Sequence, residues 1–315
     1  MNISCIILNY NDAETTIGLV NSIVSYEILD SVVVVDNCST DDSPSKLKAI
    51  AGGKVHFILS ERNGGYGYGN NLGIRYASET LHATHVLIAN PDVKVSEGCI
   101  RAMKDSFLKI SRLGIAAAVT RDGTGAIALS SWRINGLVGD LLDTGLITRR
   151  LFAHWLNERP ELKADLNKPQ GGNSPGEYQD AKKAGQEKEK EHYVYVDAVL
   201  GSLFMADIHA LMECGLYDEE VFLYYEEKIL GFQLKKKGYG TVLLLNQSYV
   251  HLHSVSIDKS VKSILRKQAI LHKSKLHYYK KYLEINRFQE CLVKAFLGLL
   301  MGEIWFLTKI LGLSW

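Results

Sequence analysis

Three short apolar runs, at residues 3–8, 32–35 and 55–59, are separated by stretches with helical spacing, and this alternation constrains the fold more than any other feature. Each run is almost free of polar residues, as in strands covered by helices on both faces. Between the first two, Ile17, Val20, Ile23 and Val24 share one helical face, and Leu47 and Ile50 mark a second helix. Strand, helix, strand, helix, strand predicts a parallel sheet with right-handed crossovers, hence an α/β class. Ligands of such sheets bind beyond the carboxyl ends of the strands. Two polar turns follow such ends here: Asn9-Tyr10-Asn11-Asp12, and Asp36 with the cap-rich residues Asn37 to Ser43.

A fourth strand at 85–89 runs into Asn90-Pro91-Asp92. Pro91 has no amide proton to give a sheet ladder, which places Asp92 at the strand's carboxyl edge. Taken alone, the tripeptide also reads as an ordinary turn. Before it lies a stretch from Arg62 to Gly73 that contains Asn63, Gly65 and Asn71, with five glycines among amides and tyrosines. It reads as a loop over which backbone and ligand approach closely, or as a plain flexible turn, before a helix through Ile74 and Ala77. Ser96 predicts a helix cap, and further strands are expected at 115–119 and near 127–129, with a helix over 137–155. The 168–192 segment, rich in Pro, Gly, Gln, Lys and Glu, reads as a solvated, mobile insertion, with a substrate lid as the functional alternative.

A strand is expected at 193–199, and residues 201–206 lead into a short helix ending near Gly215. An aromatic stretch then closes on Glu226 and Glu227, where a helix starts that ends in Lys235-Lys236-Lys237. Acidic residues in a first turn and basic ones in a last turn also suit the helix dipole without any catalytic duty. After a strand at 241–245, His251 and His253 fall on one side of an extended segment, a spacing that serves structure as readily as metal binding.

Charge excludes one class of partner. With 36 Lys and Arg against 35 Asp and Glu, there is no broad field for nucleic acid, so a phosphate-bearing ligand needs a local site. Five cysteines without ligand-like spacing read as reduced, intracellular thiols, and the first residues read as a strand rather than a signal peptide. The expected location is the cytoplasm. Beyond residue 254 the chain turns helical and basic, then strongly apolar, but Lys294, Glu303 and Lys309 interrupt the apolar stretch. That pattern suits a helix lying in a membrane surface, peripheral on the inner face of the cell membrane, or one packed on protein.

Several motifs together resemble family 2 glycosyltransferases of the GT-A fold, more closely the bacterial rhamnosyltransferase-like branch. They are Val33-Val34-Val35-Asp36-Asn37, Asn70-Asn71-Leu72-Gly73, Asn90-Pro91-Asp92, Tyr224-Tyr225-Glu226-Glu227 and His251. The resemblance covers roughly residues 3–254, within a catalytic domain read as 1–254, with 255–315 as a C-terminal helical segment. It implies a mostly parallel sheet flanked by helices and an inverting transfer of sugar from a nucleotide diphosphate sugar, of thymidine or uridine, to a saccharide or lipid-linked hydroxyl in surface polysaccharide synthesis. It further implies Mg²⁺ or Mn²⁺ held by Asp92 and His251, Glu227 as general base with Glu226 as second choice, and a donor pocket of Asn9, Tyr10, Asn11, Asp36, Asn63, Gly65, Asn71, Asn90 and Asp92. Two positions depart from the branch: Glu227 replaces an aspartate, and Ile229 stands where another acidic residue is usual. A nucleotidyltransferase would want a basic, glycine-rich phosphate loop after the first strand, where Asn9 to Asp12 offer neither glycine nor lysine. A membrane-associated binding protein that kept the fold without turnover is the other alternative.

Overall fold

The computed structural model describes residues 1–145, 148, 151, 192–252 and 263–310. In chain order the elements are β1 (Ile3–Asn9), α1 (Ala13–Ile23), β2 (Ser31–Asp36), α2 (Ser43–Ala49), β3 (Val55–Leu59), α3 (Tyr66–Glu79), β4 (His85–Ala89), β5 (Val93–Lys94), α4 (Glu97–Lys109), β6 (Leu113–Arg121), β7 (Ser131–Trp132) and α5 (Leu137–Thr144). There follow β8 (Tyr193–Tyr195), β9 (Ala198–Val199), β10 (Leu203–Asp207), α6 (Ile208–Cys214), α7 (Glu226–Lys236), β11 (Gly240–His251), α8 (Ile264–Lys281) and α9 (Arg287–Lys309). The expected insertion lies, except for His192, outside the described residues, as does His253.

Strand order in the main sheet is β3-β2-β1-β4-β10-β6-β11-β5, with β8 also paired to β11. The pairs β3–β2, β2–β1 and β1–β4 are parallel, as the sequence alternation predicts. From β10 onward the sheet is mixed, because β10 runs antiparallel to both β4 and β6. Alternate strand residues feed two cores. Ile3, Cys5, Ile7, Val32 and Val34 pack on one face with α1, α2 and α4, whereas Ile6, Val33 and Val35 pack on the other with α3, α6 and α7. Burial on both faces explains why these runs carry no polar alternation.

Three sequence expectations need correction. The glycine-rich stretch is mostly the first half of α3 rather than a loop. Its glycines let the helix lie against the sheet: a Cβ at Gly69 would meet Leu8 Cδ1 at 2.3 Å, and one at Gly73 would meet Ile6 Cγ2 at 2.5 Å. No strand forms near 127–129, where Ile127 makes only a bridge to Arg121, and the pairing shifts to Ser131–Trp132 against β9. Residues 203–207, read as a lead into a helix, form the fully inserted strand β10.

A third core joins the C-terminal hairpin to the sheet domain. Tyr225 and Ile229 of the α7 start pack with Tyr278 and Tyr279 of α8 and with Val293 and Leu297 of α9. Ile229 is fully buried there and anchors the hairpin through its side chain.

Candidate active site

Topology brings the candidate residues to one edge. β1, β2 and β4 are parallel and end at Asn9, Asp36 and Ala89. β10 is antiparallel to β4, with Leu203 opposite Ala89, so the residues entering β10 arrive at the same edge. β11 runs parallel to β6, and both oppose β10, so His251 at its end returns there too; it pairs with Val93 just after Asp92.

Asp92 and His251 are both almost wholly buried, and His251 Nε2 lies 3.2 Å from Asp92 Oδ1. The backbone fixes this pairing, since Leu252 N donates to Asp92 O at 3.0 Å. Two ligand atoms in cis positions on an octahedral ion, each about 2.1 Å from the metal, stand about 3.0 Å apart. A carboxylate oxygen and an imidazole nitrogen at the observed separation therefore fit a hard or borderline divalent cation.

The segment before β10 joins this corner to the two glutamates. Asn90 N donates to Ser202 O at 2.8 Å, and Gly201 N donates to Glu227 Oε1 at 3.3 Å. Tyr66 Oη donates to Gly201 O at 2.6 Å, and Ser202 Oγ is 2.7 Å from Tyr249 Oη. A Cβ at Gly201 would stand 2.6 Å from Glu227 Oε1, so only glycine admits the carboxylate this close. Glu226 is buried, and its Oε1 has no hydrogen-bond partner. Burial, and then the neighbouring Glu227, push the Glu226 carboxyl well above the usual carboxylate range; burial also raises Glu227. A helix dipole favours the charged form, whereas burial here opposes it, so simple end-charge placement does not by itself account for the pair. The two residues before them, Tyr224 and Tyr225, have φ of 69° and 75°. Non-glycine residues in the left-handed region cost about 1–3 kcal/mol each and persist where surrounding contacts fix them.

The donor-side residues divide into two groups. Asn9 and Asp36 are fully buried and bonded to each other, Asn9 Nδ2 donating to Asp36 Oδ1 at 2.8 Å, with Asn9 Oδ1 taken by Thr16 Oγ1. Ser39 occupies both carboxylate oxygens of Asp36, its Oγ at 2.7 Å and its N at 2.9 Å. Asp36, expected to meet the donor's base or ribose, is bonded within the turn to Asn9 and Ser39. Asn71 is likewise spent inside: its amide donates to Tyr217 O and Glu219 Oε1 and accepts from Tyr217 N, pinning α3 to the segment before α7. Gly65, with φ of 94°, brings the start of α3 against the Phe222 carbonyl, where a Cβ would be 2.2 Å away. Tyr10, Asn11, Asn63 and Asn90 are only half-buried, and Asn11 Oδ1 accepts from Thr40 N at 2.8 Å. These four, unlike the buried Asn9, Asp36 and Asn71, are partly exposed.

Sequence reasoning missed Gly201, Ser202 and Tyr66. A glycine just ahead of an apolar run marks a close approach of another group, and that was the available signal for the first.

Residues 4–139 match the family profile described as glycosyl transferase family 2. Over 103 residues the chain is 36% identical to the low-salt glycan biosynthesis hexosyltransferase Agl10 of Haloferax volcanii, a match covering 32% of this chain and 31% of that protein. Over 238 residues it is 26% identical to the N-acetylglucosaminyl-diphospho-decaprenol L-rhamnosyltransferase of Mycobacterium tuberculosis, covering 72% of this chain and 69% of the relative. Among solved structures, GalNAc-T7 with UDP, GalNAc and Mn²⁺ superposes with a TM-score of 0.57 at 16% identity, over 81% of this chain and 44% of that one. The mannosyltransferase PcManGT of Pyrobaculum calidifontis, in complex with GDP-Man and Mn²⁺, gives 0.55 at 14% identity, over 95% and 70%. The chain is a relative of the family 2 glycosyltransferases, a rhamnosyltransferase among them, and has the GT-A fold.

Proposed function

We propose that this relative of family 2 glycosyltransferases moves a sugar from a nucleoside diphosphate sugar to an acceptor hydroxyl, inverting the anomeric carbon. The observation that carries the reading is the short bridge at Gly201 and Ser202, bonded on one side to Asn90 and on the other to Glu227. That bridge supports the reading because it ties the turn that carries Asp92 to the carboxylate of Glu227.

Asp92 and His251 would hold Mn²⁺ or Mg²⁺, with Mn²⁺ the better match to an imidazole ligand. When bound, such an ion stabilises negative charge on the departing diphosphate as a Lewis acid. Glu227 receives the acceptor proton; its environment favours the neutral acid after transfer. Tyr10, Asn11 and Asn63 line the nucleoside side, positioned by the buried Asp36 turn. Relatives support the substrate class, one being named for transfer to a sugar on a diphospho-decaprenol and one neighbour holding UDP with Mn²⁺. The proposed donor is a thymidine or uridine diphosphate sugar, and dTDP-rhamnose is the first to test. A panel of UDP, dTDP and GDP, each with and without Mn²⁺, should show one nucleotide raising the melting temperature by about 5 °C at a hundredfold excess over Kd, and only with the ion. A panel in which no nucleotide shifts melting would sink the donor reading.

The acceptor is proposed to be lipid-linked, met at a membrane surface through the C-terminal hairpin. Among the described residues only α9 is long and apolar enough to cross a membrane. Its Val293, Leu297, Leu300 and Ile304 are buried against the domain, while Phe288, Leu292, Leu299, Phe306 and Ile310 recur on the exposed side. A helix packed along one face and bare along the other suits the interface better than a span. Residues 264–310 hold nine Lys and Arg against three Glu, in a chain whose net charge is +1, so this region would also attract anionic lipid. Flotation with phosphatidylglycerol vesicles should recover the full chain, and Leu299→Glu with Phe306→Glu should leave it in the soluble fraction with unchanged melting. Equal recovery of both proteins would overturn the surface assignment.

A further inference from the structure

The two residues that bracket Glu226 and Glu227 are tied to one buried carboxylate outside the site described so far. Asp140, in α5, is 1% exposed. Its Oδ2 accepts from Tyr225 Oη and, at 2.6 Å, from Tyr279 Oη of α8; its Oδ1 accepts from Lys228 Nζ at 2.6 Å. Lys275 Nζ of α8 lies 3.6 Å from Oδ2 and bonds Thr144 Oγ1. Tyr225 immediately precedes the glutamate pair, and Lys228 immediately follows it. Nothing in the proposed transfer uses Asp140, Tyr225 or Lys228 directly.

We propose that Asp140 is a positioning residue for the base: by gripping Tyr225 and Lys228 at once, it fixes the first turn of α7 so that Glu227 faces the acceptor hydroxyl, with the α8–α9 hairpin as the anchor. The inference rests on the reading of Glu227 as base.

Backbone geometry says why such a grip is needed. Tyr224 and Tyr225 both sit in the left-handed region, a conformation that relaxes unless several contacts over-determine it. Asp140 supplies three charge-assisted or hydroxyl hydrogen bonds from two elements, in a site too buried for water to replace them. Against the burial that pushes the other way, the ammonium groups of Lys228 and Lys275 hold the Asp140 carboxyl down at about 2, so it is an anion at any working pH. Glu227 itself has a second support. β9 pairs with β7, which leads into α5, and two residues past β9 stands Gly201, whose N–H reaches Glu227. The stretch 131–144 therefore supports the start of α7 twice, through Asp140 and through the strand that β7 pairs with ahead of Gly201.

Displacing a reacting group by about 1 Å costs up to about 100-fold in rate, so loosening the grip should appear in kcat rather than in donor affinity. Release of nucleoside diphosphate from a dTDP- or UDP-sugar with Mn²⁺ is measured for wild type, Tyr225→Phe, Lys228→Met, Tyr279→Phe and Glu227→Gln, and for Tyr225→Phe combined with Glu227→Gln. Tyr225→Phe and Lys228→Met should lose about 10- to 100-fold in kcat with donor KM unchanged. Tyr279→Phe removes the same kind of bond on the α8 side and should lose less at a similar melting temperature. In the Glu227→Gln background Tyr225→Phe should cost no further turnover, because the group it positions is gone. Equal kcat losses for Tyr225→Phe and Tyr279→Phe, or an undiminished Tyr225→Phe loss in the Glu227→Gln background, would reduce the network to plain stability. Wild-type turnover in Glu227→Gln alone would instead remove the base reading. Tyr225→Phe at wild-type kcat beside an impaired Glu227→Gln would remove only the positioning inference.

Discussion

Asp92→Ala is expected to lower turnover by about 10³-fold in saturating Mn²⁺, the several kcal/mol that a Lewis acid supplies to a departing diphosphate. The fold should survive. The turn is held by backbone bonds, from Asn90 N to Ser202 O and from Leu252 N to Asp92 O, which the substitution leaves in place. Its side chain touches His251, so the cost is one polar contact near the sheet edge, not a core cavity. Asp92→Asn keeps shape and loses charge, and should fall almost as far. His251→Ala removes the second ligand only and should weaken Mn²⁺ binding measured by calorimetry more than it lowers turnover at saturating ion. Wild-type rates in Asp92→Ala, or an unchanged Mn²⁺ affinity in both variants, would mean that this corner holds no cation.

The fold was legible wherever burial is two-sided. Residues 32–35 are four valines because both faces of β2 are covered, and such a run needs no tertiary context to be read as an interior strand. β10 escaped because a short apolar run fed directly into a helix with only Asp207 between, and periodicity over so few residues does not separate strand from helix. The glycine-rich stretch misled for the opposite reason. Glycine signals close approach without saying of what, and here the approaching groups are Leu8, Ile6 and Tyr217 rather than a ligand.

In the site, residue types were readable and their partners were not. Asp92 and His251 meet because β4 and β11 end at the same sheet edge, and the Gly201 segment ties Glu227 to that turn. The bonds of Asp36 to Asn9 and Ser39 have no signal in the sequence. Asp140 left no trace at all: a lone aspartate in a weakly patterned segment acquires its meaning only when α7 and α8, some 85 and 139 residues away, deliver two tyrosines to it.

Glu227→Gln should reduce kcat by about 10²- to 10⁴-fold, the range of a positioned general base, with the donor's nucleotide bound as before. Glu226→Gln separates the two carboxyls. Its Oε1 has no partner, and the buried side chain is not bonded to the Gly201 bridge, so it should retain most turnover. Both groups have raised folded values, and this fixes the sign of two pH dependences. The rate should climb with pH along a limb lying above the usual carboxylate range, because Glu227 accepts a proton only once ionised. Stability runs the other way. Carboxyls whose folded value exceeds the unfolded one contribute stability fully below the unfolded value, and lose it as pH rises through the folded value, where a charge is forced into the interior. The glutamine variants carry no such charge, so each should melt above wild type at alkaline pH, and the curves should converge as pH falls towards the ordinary carboxylate range. That gain is the converse of the activity loss in Glu227→Gln, since the strained, desolvated carboxylate that weakens the fold is the one that takes the proton. Melting and pH–rate profiles of the two variants test both halves together. If Glu226→Gln loses the rate while Glu227→Gln keeps it, the base is the deeper carboxyl; if neither variant is stabilised at alkaline pH, the pair is solvated and cannot be the tuned base at all.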